Sequence, residues 1–551
     1  MTKTKIFTLL GISTLSALVL AACSNGSSSS SSSEGARDIN YSIGANVQTL
    51  DSSMAADLVS IQTLMNVDSG LVRWDQNANV VNDLAQSINV SKDGLTYTVE
   101  LRPNLKWSNG DALTAQDFVY GWQRTIDPKT GSEYAQALYP VANAAAINEG
   151  KMPVSSLGIK ADGTRKLVIT LAAPTPYFDK LMTETAFYPL NQKFVEKEGK
   201  AYGTTSDKTL YDGPYKFATG SKAWTGNNTT FSIVKNGDYW DEKAVKNPGV
   251  NYQVVTDPTA AVGLFKSGKT DVAQLSTPTL VNANKGNKDY KVLPAPKIDV
   301  LEYNQTGKVA ALANQDIRAA INSAVNRQAL IDTAAPNYTI VNTVTPSGLD
   351  KAPNGEDFAK YAAQPYNFDA SKAATLFKEG MKKLGKTSLT LTLEGAADVP
   401  FQKTAADYLK ANLEKELTGL TINENLVPKQ QRQLDAQNGN FEIMLGGWSA
   451  DYNEPSDFLM NFVTGSTSND GRVSNSAFDA AYKAATTTPD ILNADKRYAD
   501  YKDAEAALYK SSNVLPLDTE SAPLLINPSL KGISTTNASL IWIVRDAYIA
   551  K

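Results

Sequence analysis

Histidine is absent from the 551 residues, and cysteine occurs once. Without imidazole there is no Ser-His-Asp triad, no HExxH zinc motif and no imidazole metal ligand. One thiol permits neither an internal disulfide framework nor a cysteine-rich metal site. Catalysis would be left to carboxylates, Lys, Tyr or Ser, and no metal or cofactor is expected. Long apolar runs are also missing: beyond the N-terminal twenty or so residues, no stretch approaches the roughly 18 that a membrane span needs. Nor is one sign of charge in excess, since 53 Lys+Arg against 57 Asp+Glu gives a net charge of −4. No basic block offers a nucleic-acid groove, and no nucleic-acid partner is expected.

What is present begins with a targeting segment. Lys3 and Lys5 precede an uncharged, mostly apolar stretch from Ile6 to Leu20, the length of a signal-peptide core. Leu20-Ala21-Ala22-Cys23 follows, resembling a bacterial lipobox, in which the thiol takes a diacylglyceryl group and cleavage falls just before it. Residues 1–22 are therefore expected to be a lipoprotein signal peptide and Cys23 the lipid attachment site, with the new amine open to acylation (palmitate). Two acyl chains hold a protein stably where one does not. The run Ser27–Ser33 reads as a flexible tether, 23–37, that cannot bury a core.

At about 100–200 residues per domain, the remainder is too long for one core. Strand and helix patterns alternate throughout, predicting mixed α/β lobes. Thr96–Leu101 alternates as a half-buried strand after the turn Lys92-Asp93-Gly94, and Leu389–Leu393 does the same. Helices are expected after Asn314, from Asp369 to near Gly380, after Pro400, and over about Ala494–Tyr509. Tyr211–Tyr215, with Gly213-Pro214, reads as a crossing between lobes. Gly263-Leu264-Phe265-Lys266-Ser267-Gly268-Lys269-Thr270 satisfies the phosphate-loop pattern by letters. Its context is reversed, helix before and strand after, so no nucleotide site is expected.

The segment Asp93–Arg124 reads as a strand, a turn at Asn109-Gly110 and a helix capped at Thr114, with Phe118 and Trp122 one turn apart. As a string it resembles the signature of extracellular solute-binding family 5, the peptide- and nickel-binding lipoproteins of ABC importers. Gly213–Lys216 and Lys235–Trp240 look like that family's middle strands. Tyr303-Asn304 and Asp316–Ile321 resemble another of its elements. Gly447-Trp448-Ser449-Ala450-Asp451-Tyr452-Asn453-Glu454-Pro455 is similar to the oligopeptide-binding branch. The missing histidines argue against the nickel-binding branch.

The resemblance implies a periplasmic-binding-protein-like α/β fold of the three-domain, cluster C type, two lobes joined by a hinge with an extra inserted domain. The expected division is lobe I at 38–68, 208–298 and 522–551, domain II at 69–207, and lobe III at 299–521. It also implies that Asp451 binds the peptide α-ammonium, that Gly447, Trp448, Ser449, Ala450 and the segment around Leu58 offer backbone groups, and that Tyr134 lies near the ligand. The plainer reading of Asp451 is an exposed turn residue before Pro455. A receptor for many peptides must hold what they share, backbone and termini, and strand-like hydrogen bonds do this independently of sequence. Some relatives carry arginines just before the Trp-Ser-Ala-Asp string for a peptide carboxylate; here only Arg432 is close. Relatives often place aromatic residues on the ligand near the end of the third domain, and the equivalent Leu515–Glu520 has no tyrosine.

The function expected is a non-enzymatic, monomeric substrate-binding lipoprotein on the outer face of a bacterial, Gram-positive cell membrane. It would deliver oligopeptides to an ABC permease and ATPase complex. A peptide-pheromone receptor of the same fold is the alternative, with a surface hydrolase or a cell-wall adhesin behind it.

Overall fold

The computed structural model describes residues 37–535 and 542–550. The signal peptide, Cys23 and the serine tether lie outside the described residues. Among the described residues, no helix is long and apolar enough to cross a membrane.

Three sheets organise the chain. In the first, strands Ile39–Ile43, Gly249–Val254, Thr230–Lys235 and Tyr215–Phe217 lie side by side in that order. Their apolar faces bury Tyr215, Trp224 and Ile233. The second is an antiparallel sheet of Ala85–Val90, Thr96–Leu101, Lys166–Thr170 and Ile159–Ala161. Tyr97, Val99 and Leu101 alternate inward as their period of two requires. The helix Ala115–Ile126 turns Phe118 and Trp122 into the same core. Its start is fixed by Asp117, whose Oδ2 accepts from the Thr114 backbone N–H at 2.7 Å and hydroxyl at 2.9 Å.

The third sheet has six strands, ordered Val272–Gln274, Val514–Ile526, Tyr290–Tyr303, Ile443–Ser449, Leu389–Ala396 and Leu420–Val427. Helices Gln315–Ala324, Ala370–Leu384 and Pro400–Glu416 bury their apolar stripes in one core. Ser476–Thr486 and Ala494–Lys510 close a second one, around Phe358, Phe458 and Tyr501. Tyr290–Tyr303 and Val514–Ile526 are the long members, 14 and 13 residues. Their antiparallel pairing shifts register between Pro294 and Ile298. Pro294 and Pro296 have no N–H to give the ladder, so the sequence itself interrupts it there.

The chain passes from the core of the second sheet to that of the first at Tyr211–Tyr215. Gly213 N–H donates to the Val67 carbonyl at 2.9 Å, and the Asp212 carboxylate accepts from Ser69 N–H at 2.9 Å. A Cβ on Gly213 would stand 2.6 Å from the Asp68 nitrogen, so the two chain segments pass in contact. Gly263–Thr270 is the end of helix Pro258–Lys266 and the turn into strand Val272–Gln274, with Gly268 at φ +70°. No strand-loop-helix cradle exists in that segment.

Two local expectations fail. The helix from Asp369 does not stop near Gly380 but continues to Leu384, where Gly385 takes the left-handed cap conformation. Gly380 is needed for packing instead: a Cβ there would lie 2.6 Å from Ile317 Cδ1. Lys235–Trp240 is not a strand beyond Lys235. The chain turns, and Tyr239 and Trp240 both donate to Asp83 Oδ1 at 2.8 Å.

Trp122 is fully buried, with its ring edge-on to Phe187 at 5.0 Å and its Nε1–H donating to the Phe187 carbonyl at 2.7 Å. Trp122→Ala is expected to cost about 3–5 kcal/mol. Urea unfolding followed by far-UV circular dichroism measures it.

Candidate functional site

The strand Ile443–Ser449 ends in a loop that sets the site. It pairs with Tyr290–Tyr303 along its whole length, but with Leu389–Ala396 only at Ile443 and Met444. From Leu445 to Ser449 the second side has no strand neighbour among the described residues; Arg432 donates to the Leu445 carbonyl, and from Gly446 onward the strand forms an open sheet edge. Gly447 is close-packed at this edge: a Cβ would collide with the Ile298 carbonyl.

Beyond the strand, Asp457 holds the loop. It is fully buried, and its Oδ2 accepts from the backbone N–H of Asp451 at 2.7 Å and of Tyr452 at 3.3 Å. Its Oδ1 lies 3.4 Å from Trp448 Nε1. Burial, and then the Asp451 charge, push the Asp457 carboxyl well above the ordinary range. Ala450 N–H donates to the Pro296 carbonyl at 3.0 Å, tying the loop to the place where the long strands break pairing.

Asp451 lines a cavity of about 1030 Å³. Its side chain makes no ion pair or hydrogen bond among the described residues. Solvent reaches it, yet the surrounding protein raises its carboxyl above the ordinary value through lost hydration. Gly447, Trp448 and Ser449 line the same cavity. Ala450 does not: it is buried in the core beneath and contributes to the loop's anchorage. Tyr134, about one-third exposed, carries a phenol raised by burial and by the charges of Glu184 and Asp451. Leu58 opens the helix Leu58–Val67, 60% exposed, and does not line this cavity.

Sequence reasoning missed three residues. Asp457 follows the Trp-Ser-Ala-Asp string by six positions, and a carboxylate at the start of the short helix Ser456–Leu459 was its only signal. Glu184 stands just past the helix Phe178–Leu181. Burial and the Asp451 charge push its carboxyl up to about 7. Lys180, in that helix, reaches across from the second sheet's body. Its Nζ donates to Asp350 Oδ2 at 2.7 Å and to the Asn453 carbonyl at 2.5 Å, and lies 3.7 Å from Glu454. Burial alone would lower the Lys180 pKa, but Asp350 and Glu454 hold it raised. Tyr177 stacks on Tyr452 at 4.5 Å beside it. Among the described residues no group of three or more acidic side chains is placed to hold a metal.

An open strand edge ending at a carboxylate without a cation suits an extended ligand with a cationic head. Residues 79–470 match the family model for bacterial extracellular solute-binding proteins, family 5. The chain belongs to that family. The dipeptide-binding protein of Lactococcus lactis subsp. cremoris is 47% identical over the full length of both chains. Listeria monocytogenes OppA bound to peptide superposes with a TM-score of 0.70 at 31% identity, covering 94% of this chain and all of the other. The unliganded open form of the periplasmic murein tripeptide-binding protein MppA gives 0.81 at 26% identity, covering 93% and 97%. Members of this family are substrate-binding proteins of ABC importers, and the fold is the multi-domain α/β one the motifs implied.

In a chain without histidine, the pH range 5–8 is left to carboxyls displaced upward. Burial raises Glu184 to about 7, Asp299 to about 6 and Glu505 to about 7. Unfolded carboxyls titrate near 4, so the folded state binds more protons between about 4 and these values. Stability therefore falls as pH rises through that window and levels off above it. The thermal midpoint is expected to drop from pH 5 to pH 8, and Glu184→Gln to reduce the drop. Differential scanning fluorimetry across pH checks both.

Proposed function

We propose that the protein captures oligopeptides outside the cell and hands them to an ABC permease, with Asp451 receiving the peptide α-ammonium. The observation that carries this is the free edge Gly446–Ser449 leading to an Asp451 carboxylate that has no cation of its own among the described residues. An extended peptide laid along the edge completes the sheet through main-chain hydrogen bonds, which are blind to side chains. The ammonium supplies the charge that Asp451 lacks, fixing the register.

The structure corresponds, in this reading, to the open state of a receptor that closes on its ligand. The better superposition on an unliganded open relative than on a peptide-bound one supports that. The lobes are 38–68, 208–298 and 522–551 on one side and 299–521 on the other, with 69–207 inserted. The proline-broken pairing near Pro294–Ile298 is the flexible crossing. Cys23 carries the lipid anchor, which places the protein on the outer face of a Gram-positive membrane as a monomer.

A buried charge-assisted hydrogen bond is worth about 1.5–3 kcal/mol, so Asp451→Asn is expected to weaken free-amine peptides roughly 10- to 150-fold. N-acetylated peptides should bind the unmutated protein about as poorly. Titration calorimetry giving equal affinities for acetylated and free peptides would remove Asp451 from this role. For the anchor, cells fed radiolabelled palmitate should label the protein, and Cys23→Ser should abolish the label and release the protein into the medium.

A further inference from the structure

The cavity beside Asp451 is lined entirely by residues between Lys297 and Arg472, so it is complete on one side of the cleft. Its wall is unevenly satisfied. Asp299 is 2% exposed, and its Oδ2 has no hydrogen-bond partner. It faces Asp518 across the long-strand pairing, where both Asp518 oxygens are also unpartnered. Glu302 and Asp470 line the same cavity, neither in an ion pair within 4 Å among the described residues. The Glu302 carboxyl occupies the space that a Cβ on Gly446 would fill, so that glycine leaves room for an acid under the open edge.

Three of the wall's four cations already have partners. Lys297 pairs with Glu520, and it approaches Asp299 only at 3.9 Å. The Arg472 guanidinium donates to the Asn469 and Gln437 carbonyls. Lys429 is exposed. Arg432 is buried, with Nη1 on the Leu445 carbonyl at 2.9 Å and Nε unpartnered. Asp299, Glu302, Asp470 and Glu394 all feel its charge, and Asp470 feels that of Arg472 more strongly. Burial, then Asp470, pushes Glu302 up to about 8, which is what a carboxyl short of positive charge does.

We infer that this cavity selects a basic side chain, Lys or Arg, on the bound peptide, with Glu302 and Asp470 as its counter-charges. The inference rests on the peptide-binding reading. Strand residues advance about 3.4 Å each, so Gly446, beside Glu302, lies roughly 10 Å along the edge from Ser449. With the α-ammonium at Asp451, the side chain that reaches Glu302 belongs to the second or third ligand residue. A peptide carboxylate is the opposite choice. It would meet Glu302 and Asp470, which have no ion-pair partner within 4 Å among the described residues, and repulsion from them opposes it.

The test is a titration-calorimetry scan of tetra-alanine with Lys, norleucine or Glu placed at each position in turn, on the full-length protein and on Glu302→Gln. Norleucine controls for the length of the lysine stem. The expected result is one position, second or third, at which Lys binds at least about tenfold tighter than norleucine and Glu binds most weakly. In Glu302→Gln the Lys-to-norleucine ratio should collapse toward one. Because the ratio is read within each protein, a folding defect is seen as loss of both ligands. Equal affinity for Lys and norleucine at every position would overturn the inference and leave the peptide-binding reading intact. So would a large loss on C-terminal amidation together with no Lys preference, which would assign Arg432 to the carboxylate. Failure of every peptide to bind a protein with a normal unfolding transition would overturn the underlying reading instead.

Discussion

Backbone hydrogen bonds join Tyr290–Tyr303 and Val514–Ile526 along most of their length; the register shifts at Asp299/Val300, and prolines interrupt the ladder between Pro294 and Ile298. On one side of the break the ladder continues to Val272–Gln274, next to the first sheet's core. On the other it joins Ile443–Ser449 and the helices packed over that end. A paired strand resists bending, whereas a stretch without ladder bonds gives way first. The Ala450-to-Pro296 hydrogen bond attaches the Asp451 loop at that same stretch. In the proposed reading, motion and recognition share these few residues.

The second constraint is electrostatic. Asp451, Glu184, Glu302 and Asp470 have no ion-pair partners among the described residues, while Lys180, Lys297, Arg432 and Arg472 are bound to carbonyls or to other acids. Unpaired carboxyls that lose hydration are costly to keep charged. Lost hydration raises all four, and a cationic ligand would give them the partner they lack. Asp457 is raised as well, but two backbone N–H groups donate to it and it works as a brace for the loop.

The sequence made the regular elements legible where one physical signal dominated. The alternation in Thr96–Leu101, the Asn314 and Asp369 caps and the Pro400 start each matched the element found. Gly380 misled because a glycine late in a helix looks the same whether it ends the helix or admits Ile317. Trp448 and Asp451 were readable from the Gly-Trp-Ser-Ala-Asp string. Glu184, Lys180 and Glu302 were not, since each matters through a partner more than a hundred residues away or through a glycine's missing side chain. Pro294 and Pro296 were visible all along, but their effect emerges only once the partner strand is known.

Lys180 gives the cleft a second attachment besides the long strands, gripping Asn453 two residues beyond Asp451. Two fixed points define a line, and a body pivoting about a line sweeps least near it and most at its far rim. In a receptor that closes as proposed, an acid this close to the axis keeps its station while the distant walls travel. The proposed closure then moors the head of an arriving chain first and brings the roof down afterwards over whatever trails behind.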